Sequence, residues 1–211
     1  MNFRGRWSVY NSAMKKSPIL FFFLTLALIG LAAWFGPEEK SLGANVRYVY
    51  LHGAWVLAAE AALILAGVTG FLALLNNKPV FYRWSTALGR SGIVFWVTYL
   101  PLSLLAMQTN WNGLFLAEPR FRLALTFAVV GVLLQVGLWL IDRPPYTAAA
   151  NALFIITLRY VFSSAAYVMH PPPSPIFNSG LTGVIAFFVL LNLLTLLAAF
   201  FLTRWFLSLN R

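Results

Sequence analysis

Two histidines, one glutamate and one arginine are the side chains of this 211-residue chain whose positions first raise a question of chemistry. His52 lies in the stretch Arg47-Tyr48-Val49-Tyr50-Leu51-His52-Gly53-Ala54-Trp55, and His170 stands directly before Pro171-Pro172-Pro173 and Pro175. Neutral imidazole is a common axial ligand of haem iron, and two imidazoles from separate helices at one depth can sandwich it. Two histidines at a membrane interface can equally bond headgroups or backbone, and spacing leaves both readings open. Glu60 and Arg159 each fall inside an apolar run, where an unpaired charge is expensive. Glu60 lies about 12 Å along a helix from His52, and Arg159 about 16 Å from His170. That common depth predicts that they face the bundle interior and form an ion pair or share a hydrogen-bond network. Either helix packing or a proton or substrate path would use such a pair.

The elements that must position these residues follow from composition. The chain is 61% hydrophobic and 9% charged, with a mean hydropathy of +0.79. A soluble domain keeps about a quarter of its residues charged, so this surface is expected to face membrane lipid. A spanning helix needs about 20 mostly apolar residues, and six runs qualify: roughly 18–35, 50–75, 91–107, 120–141, 148–168 and 179–207. The expectation is a single all-α membrane domain over residues 1–211 with six transmembrane helices. The first run is read as a retained helix, because it lacks a small-residue cleavage site before Glu38-Glu39. Cysteine is absent, which excludes disulfides, thiolate metal sites, covalent haem attachment to this chain and a cysteine nucleophile.

Charge sets the orientation. One side carries Arg4, Arg6, Lys15, Lys16, Lys78, Arg83, Arg90, Arg143, Arg204 and Arg211; the other carries Lys40, Arg47, Arg120 and Arg122. The positive-inside rule then places both termini in the cytoplasm and both histidines on the outer side. The same distribution explains the net charge of +10 without nucleic acid, since the basic residues sit in short segments between apolar runs. On the outer side, Thr109-Asn110-Trp111-Asn112-Gly113-Leu114-Phe115-Leu116-Ala117-Glu118-Pro119-Arg120 is apolar for a loop. Such a segment can lie along the interface and offer a flat surface to an amphipathic ligand. An aromatic belt is the ordinary alternative.

These three outer segments, in this order, resemble the CcmC family of haem-handling proteins that serve cytochrome c maturation. Arg47, His52, Ala54 and Trp55 match a family motif of the form Arg-(x)4-His-Val-Pro-Ala-Ala-Trp, with two residues fewer after the histidine and no proline. Trp111, Pro119 and Arg120 match the tryptophan-rich motif, Glu118 stands for its aspartate, and Leu114, Phe115 and Ala117 replace three tryptophans. At the second histidine motif only His170 matches. The resemblance implies six spans in a bacterial-type inner membrane, with both histidines on the periplasmic side. It further implies a non-covalent haem b with iron held by His52 and His170, its plane on the segment Trp111, Phe115, Glu118, with Trp55 nearby. Arg47, Arg120 and Arg122 would meet the propionates, because guanidinium matches carboxylate bidentately. Implied partners are ABC-transporter subunits and a haem chaperone.

The leading expectation is therefore a membrane haem carrier of cytochrome c biogenesis. It is not an enzyme: the sequence offers no nucleophile, catalytic dyad or P-loop. The rival is a non-catalytic scaffold subunit of a respiratory or photosynthetic complex that reuses the fold. A small-molecule transporter working through Glu60 and Arg159 is a third.

Overall fold

Pro18, Pro79, Pro119 and Pro144 each stand in the first turn of a helix, where a missing N–H costs nothing and a fixed φ suits the turn. The computed structural model describes residues 17–166 and 175–209. Among these are six helices, α1 (Pro18–Trp34), α2 (Val46–Asn76), α3 (Pro79–Asn110), α4 (Pro119–Ile141), α5 (Pro144–Ser163) and α6 (Thr182–Leu209). The described residues contain no strand, only an isolated bridge between Glu39 and Gly43. The fold is all-α.

Two of the connections use one device. Asn77 ends α2 and Asp142 ends α4 in the left-handed conformation, with φ of 49° and 48°. Each is followed by an extended basic residue, Lys78 or Arg143, and then by the proline that opens the next helix. Asparagine and aspartate tolerate left-handed φ because their short polar side chains bond locally. The α2–α3 and α4–α5 connections are thereby only two residues long and force antiparallel neighbours.

Four helices, α2, α3, α4 and α6, are long and apolar enough to cross a bilayer, which gives the chain multi-pass membrane character. α1 has 17 residues, short of the ~20 of a full crossing. α5 carries Asn151 and Arg159 within its 20 residues. Several span limits differ from those read off the apolar runs. α3 begins at Pro79 rather than near Ser91, so Arg83 and Arg90 lie on the helix and not in a loop. α5 stops at Ser163 although the apolar run continues to Val168.

α2 and α3 form the central antiparallel pair, with α5 and α4 on one side and α6 and α1 on the other. α1 rests mainly on α6. The buried face of α2 is built of small residues, Ala54, Ala58, Ala59, Ala62, Ala66, Gly67, Gly70 and Ala73. Lipid tails are as apolar as leucine, so helices in a bilayer associate through close backbone approach and interhelical hydrogen bonds. Gly70 shows the approach: a Cβ there would lie 2.5 Å from the Ala148 carbonyl oxygen of α5 and 2.9 Å from Ser85 Oγ of α3.

Hydrogen bonds sit at the same junction. Ser85 Oγ donates to the Ala66 carbonyl (2.8 Å), and Asn151 Nδ2 donates to the Ser85 carbonyl (2.9 Å) and to Ser85 Oγ (3.1 Å). Gln135 Nε2 donates to Asn151 Oδ1 (2.9 Å). One polar chain thus ties α2, α3, α5 and α4. Elsewhere Trp96 Nε1 donates to the Ala124 carbonyl (3.0 Å), joining α3 to α4, and Ser91 Oγ to the Ala199 carbonyl (3.2 Å), joining α3 to α6.

Candidate functional site

The end of the bundle that holds His52 is where α2 and α4 begin and α3 and α5 finish. A mutual clasp closes α2 onto α3 there. Asn45 Nδ2 donates to the Thr109 carbonyl (3.1 Å), and Asn110 Nδ2 donates to the Asn45 carbonyl (3.2 Å). Below it, Tyr50 is fully buried against Phe187 and Phe188 of α6.

His52, about 200° around the helix from Tyr50, turns instead to α3. Its ring centroid lies 5.6 Å from that of Tyr99, which in turn meets Trp96 edge-on at 5.1 Å. Nδ1 of His52 is buried. One turn along, Trp55 Nε1 donates to Thr98 Oγ1 (3.0 Å) and its ring packs on Phe95 at 5.3 Å. The expected site residues His52 and Trp55 therefore share the α3-facing side of α2. Tyr99, Trp96 and Thr98 join them, and sequence reasoning had not singled these out. Their spacing within α3, which brings Trp96 and Tyr99 to one face, was the available signal.

Arg47 belongs to a different neighbourhood. It is about 140° around α2 from His52, and it donates from Nε to the Gly36 carbonyl and from Nη2 to Glu38 Oε1, both at 3.3 Å. Helical phase points it toward the α1–α2 connection rather than to the α3-facing side where His52 lies. In that connection the Glu39 carboxylate accepts from the Ser41 hydroxyl and amide and from the Leu42 amide. These bonds, that of the Ser41 hydroxyl foremost, hold its pKa below the ordinary carboxylate value.

The Trp111–Glu118 segment leaves α3 at Asn110 and turns back into α4. Trp111 meets Phe115 edge-on at 6.1 Å, while Leu114, Phe115 and Leu116 are exposed. Glu118 has a structural duty: as N-cap of α4 its carboxylate accepts from the Phe121 amide at 2.6 Å. With Pro119 in the first turn, this accounts for the acid–proline pair as a helix start. Arg120 and Arg122 sit two positions apart on α4, about 200° around its axis, so a single ligand placed against one face of α4 meets only one of them. Arg120 is half-buried and Arg122 exposed.

His170 lies in 167–174, outside the described residues, as do Arg4, Arg6, Lys15, Lys16, Arg211 and Pro171 to Pro173. The connection that contains His170 leaves α5 at the His52 end. It re-enters the described chain beside α6, where Phe177 packs on Phe188 at 5.5 Å. Among the described residues no three His, Asp or Glu side chains converge on a metal site.

Glu60 and Arg159 do meet. Arg159 Nη1 donates to Glu60 Oε1 (3.0 Å) and Oε2 (3.1 Å). The expectation that they face the interior is corrected, because the Arg159 side chain is 55% exposed against 26% for Glu60. Since α5 stops at Ser163, Arg159 is about 6 Å from the helix end. A long arginine side chain can snorkel over that distance to the interface. The pair thus lies at the flank of α2 and α5, where each charge is answered by the other.

The fold and this end define an all-α, multi-pass membrane-type bundle with a histidine set into an aromatic corner at one end. Comparison with protein families, with curated proteins and with solved structures finds no match to the chain.

Proposed function

We propose that the chain crosses a bacterial-type inner membrane six times with both ends cytoplasmic, and that it holds a haem at the outer face for cytochrome c maturation, as its CcmC-like motifs imply. The observation that carries this reading is the setting of His52. Its imidazole sits at the same end of the bundle as the Trp111–Glu118 segment, with its ring beside Tyr99. The donor set suits haem, which when bound supplies an iron with two axial positions and a flat apolar ring edged by carboxylates. His52 and His170 would fill the axial positions and restrain the iron, as befits a carrier. Trp111 and Phe115 would offer an aromatic surface, and Arg120 a guanidinium for a propionate. Trp55, held to Thr98, would wall the α3 side. ABC-transporter subunits and a haem chaperone are the partners this reading entails.

Six crossings are supported by the positions of α1 and α5 within the antiparallel bundle, although α1 has only 17 residues and α5 carries Asn151 and Arg159. The chain has no cysteine, so single cysteines at position 17, 40, 80, 115, 145 or 179 can be labelled from either side of a sealed vesicle. The proposal requires 40, 115 and 179 on one side and 17, 80 and 145 on the other.

A second reading, a scaffold subunit of a larger membrane complex, is favoured by the structural duties of Arg47 and Glu118. Visible spectra of the purified protein separate the two. Low-spin b-type bands lost in both His52→Ala and His170→Ala support haem handling. A colourless protein that co-purifies stoichiometrically with other membrane subunits supports the scaffold.

A further inference from the structure

At the opposite, basic end of the bundle a cavity of about 770 Å³ opens between the start of α1, the start of α3 and the end of α6. It exists because α1 packs on α6 and makes little contact with α3. Its walls are amphipathic. Phe21, Trp84, Phe200, Phe201 and Leu207 supply apolar and aromatic surface, and Arg83 and Arg204 supply two guanidinium groups. Among the described residues no carboxylate lines it, and neither arginine is paired with an acid. Phe21 and Phe201 stack at 5.3 Å and form its floor between α1 and α6.

We propose that this cavity is a binding site for an anionic phospholipid. The two guanidinium groups hold the phosphate of the headgroup, and an acyl chain lies along the Phe21–Phe201 wall. Charge complementarity selects this occupant. Two cations with no acidic partner among the described residues, at the end of spanning helices and above an apolar cleft, match a phosphate above a hydrocarbon chain. A neutral lipid would leave both arginines uncompensated, and a soluble anion would leave the aromatic wall facing water. The site is independent of the outer histidines and of any cofactor.

The test uses the full-length protein reconstituted in phosphatidylcholine vesicles that contain increasing fractions of brominated phosphatidylglycerol. Bromine quenches tryptophan at contact, and the Trp84 signal is the difference between the wild type and Trp84→Phe. Trp84 should be quenched at lower fractions of brominated phosphatidylglycerol than of brominated phosphatidylcholine. Each arginine near a membrane surface is worth about five-fold in affinity for an anionic lipid, so Arg83→Gln and Arg204→Gln should each erase most of that preference. Arg83→Lys should retain part of it, and Arg143→Gln, at the same end but outside the cavity, should leave it unchanged. Equal quenching by the two lipids in the wild type overturns the proposal, as does an equal loss in Arg143→Gln, which would reduce the effect to general surface charge. Trp84 quenching that appears only after removal of residues 1–16 also overturns it, by making that segment the occupant.

Discussion

Replacing Gly70 with alanine sets two calculable effects against each other. In a helix interior, alanine is favoured over glycine by about 1 kcal/mol. At Gly70, however, the new Cβ would lie 2.5 Å from the Ala148 carbonyl oxygen. That oxygen is backbone and cannot rotate aside. Restoring van der Waals contact requires α5 to move away from α2 by about 0.8 Å, and overpacking of this kind costs typically 1–3 kcal/mol. The shift also strains the Ser85–Asn151 bonds, each worth about 0.6 kcal/mol in a bilayer. The net expectation is destabilisation by about 1–2 kcal/mol. For a chain of this size that lowers Tm by about 2–8 °C, measurable by thermal unfolding in mild detergent. Gly30, with nothing within 4 Å of its notional Cβ, is the control, and Gly30→Ala should hold or raise Tm. If Gly70→Ala raised Tm as much as Gly30→Ala, the close α2–α5 contact would be wrong.

Other expectations follow from the same geometry. Asn151→Ala removes three interhelical hydrogen bonds and should cost about 2 kcal/mol. A double-mutant cycle with Gln135→Ala should show coupling, because the two amides bond each other. Glu60→Gln removes the anionic partner of Arg159 on the flank of a spanning helix and should lower stability, while leaving any ligand bound at His52 in place. A lost ligand would give the pair a functional role. The Glu39 carboxylate has a lowered pKa in the folded chain, so its contribution is complete above the unfolded value and fades as pH falls through the folded one. Amide exchange at Ser41 and Leu42, referenced to intrinsic rates, should therefore speed up on acidification in the wild type and be pH-insensitive in Glu39→Gln.

Helix starts are marked chemically by proline, yet the apolar runs hid two of them: α3 begins at Pro79 rather than near 91, and α5 at Pro144 rather than near 148. Glu118-Pro119 is a helix start that a binding motif had obscured. Most ends were read closely, with one exception. The apolar run through Ala165-Ala166-Tyr167-Val168 carries no stop signal, yet α5 ends at Ser163, which turns Arg159 from a buried charge into one near an interface. Basic residues misled in the other direction: Arg83 and Arg90 read as loop residues but ride on α3. At the site, linear motif matching grouped Arg47 with His52. The 100° step of a helix separates them and brings in Tyr99 and Thr98 from a helix no motif covered.

The central claim, a haem held through His52, meets its most direct test in a pyridine haemochrome assay on the purified protein. The account predicts a b-type haemochrome approaching one haem per chain in the wild type and in Glu60→Gln, and its loss in His52→Ala. A haem content unchanged by His52→Ala, or a wild-type protein that takes up none when haem is supplied, would contradict it.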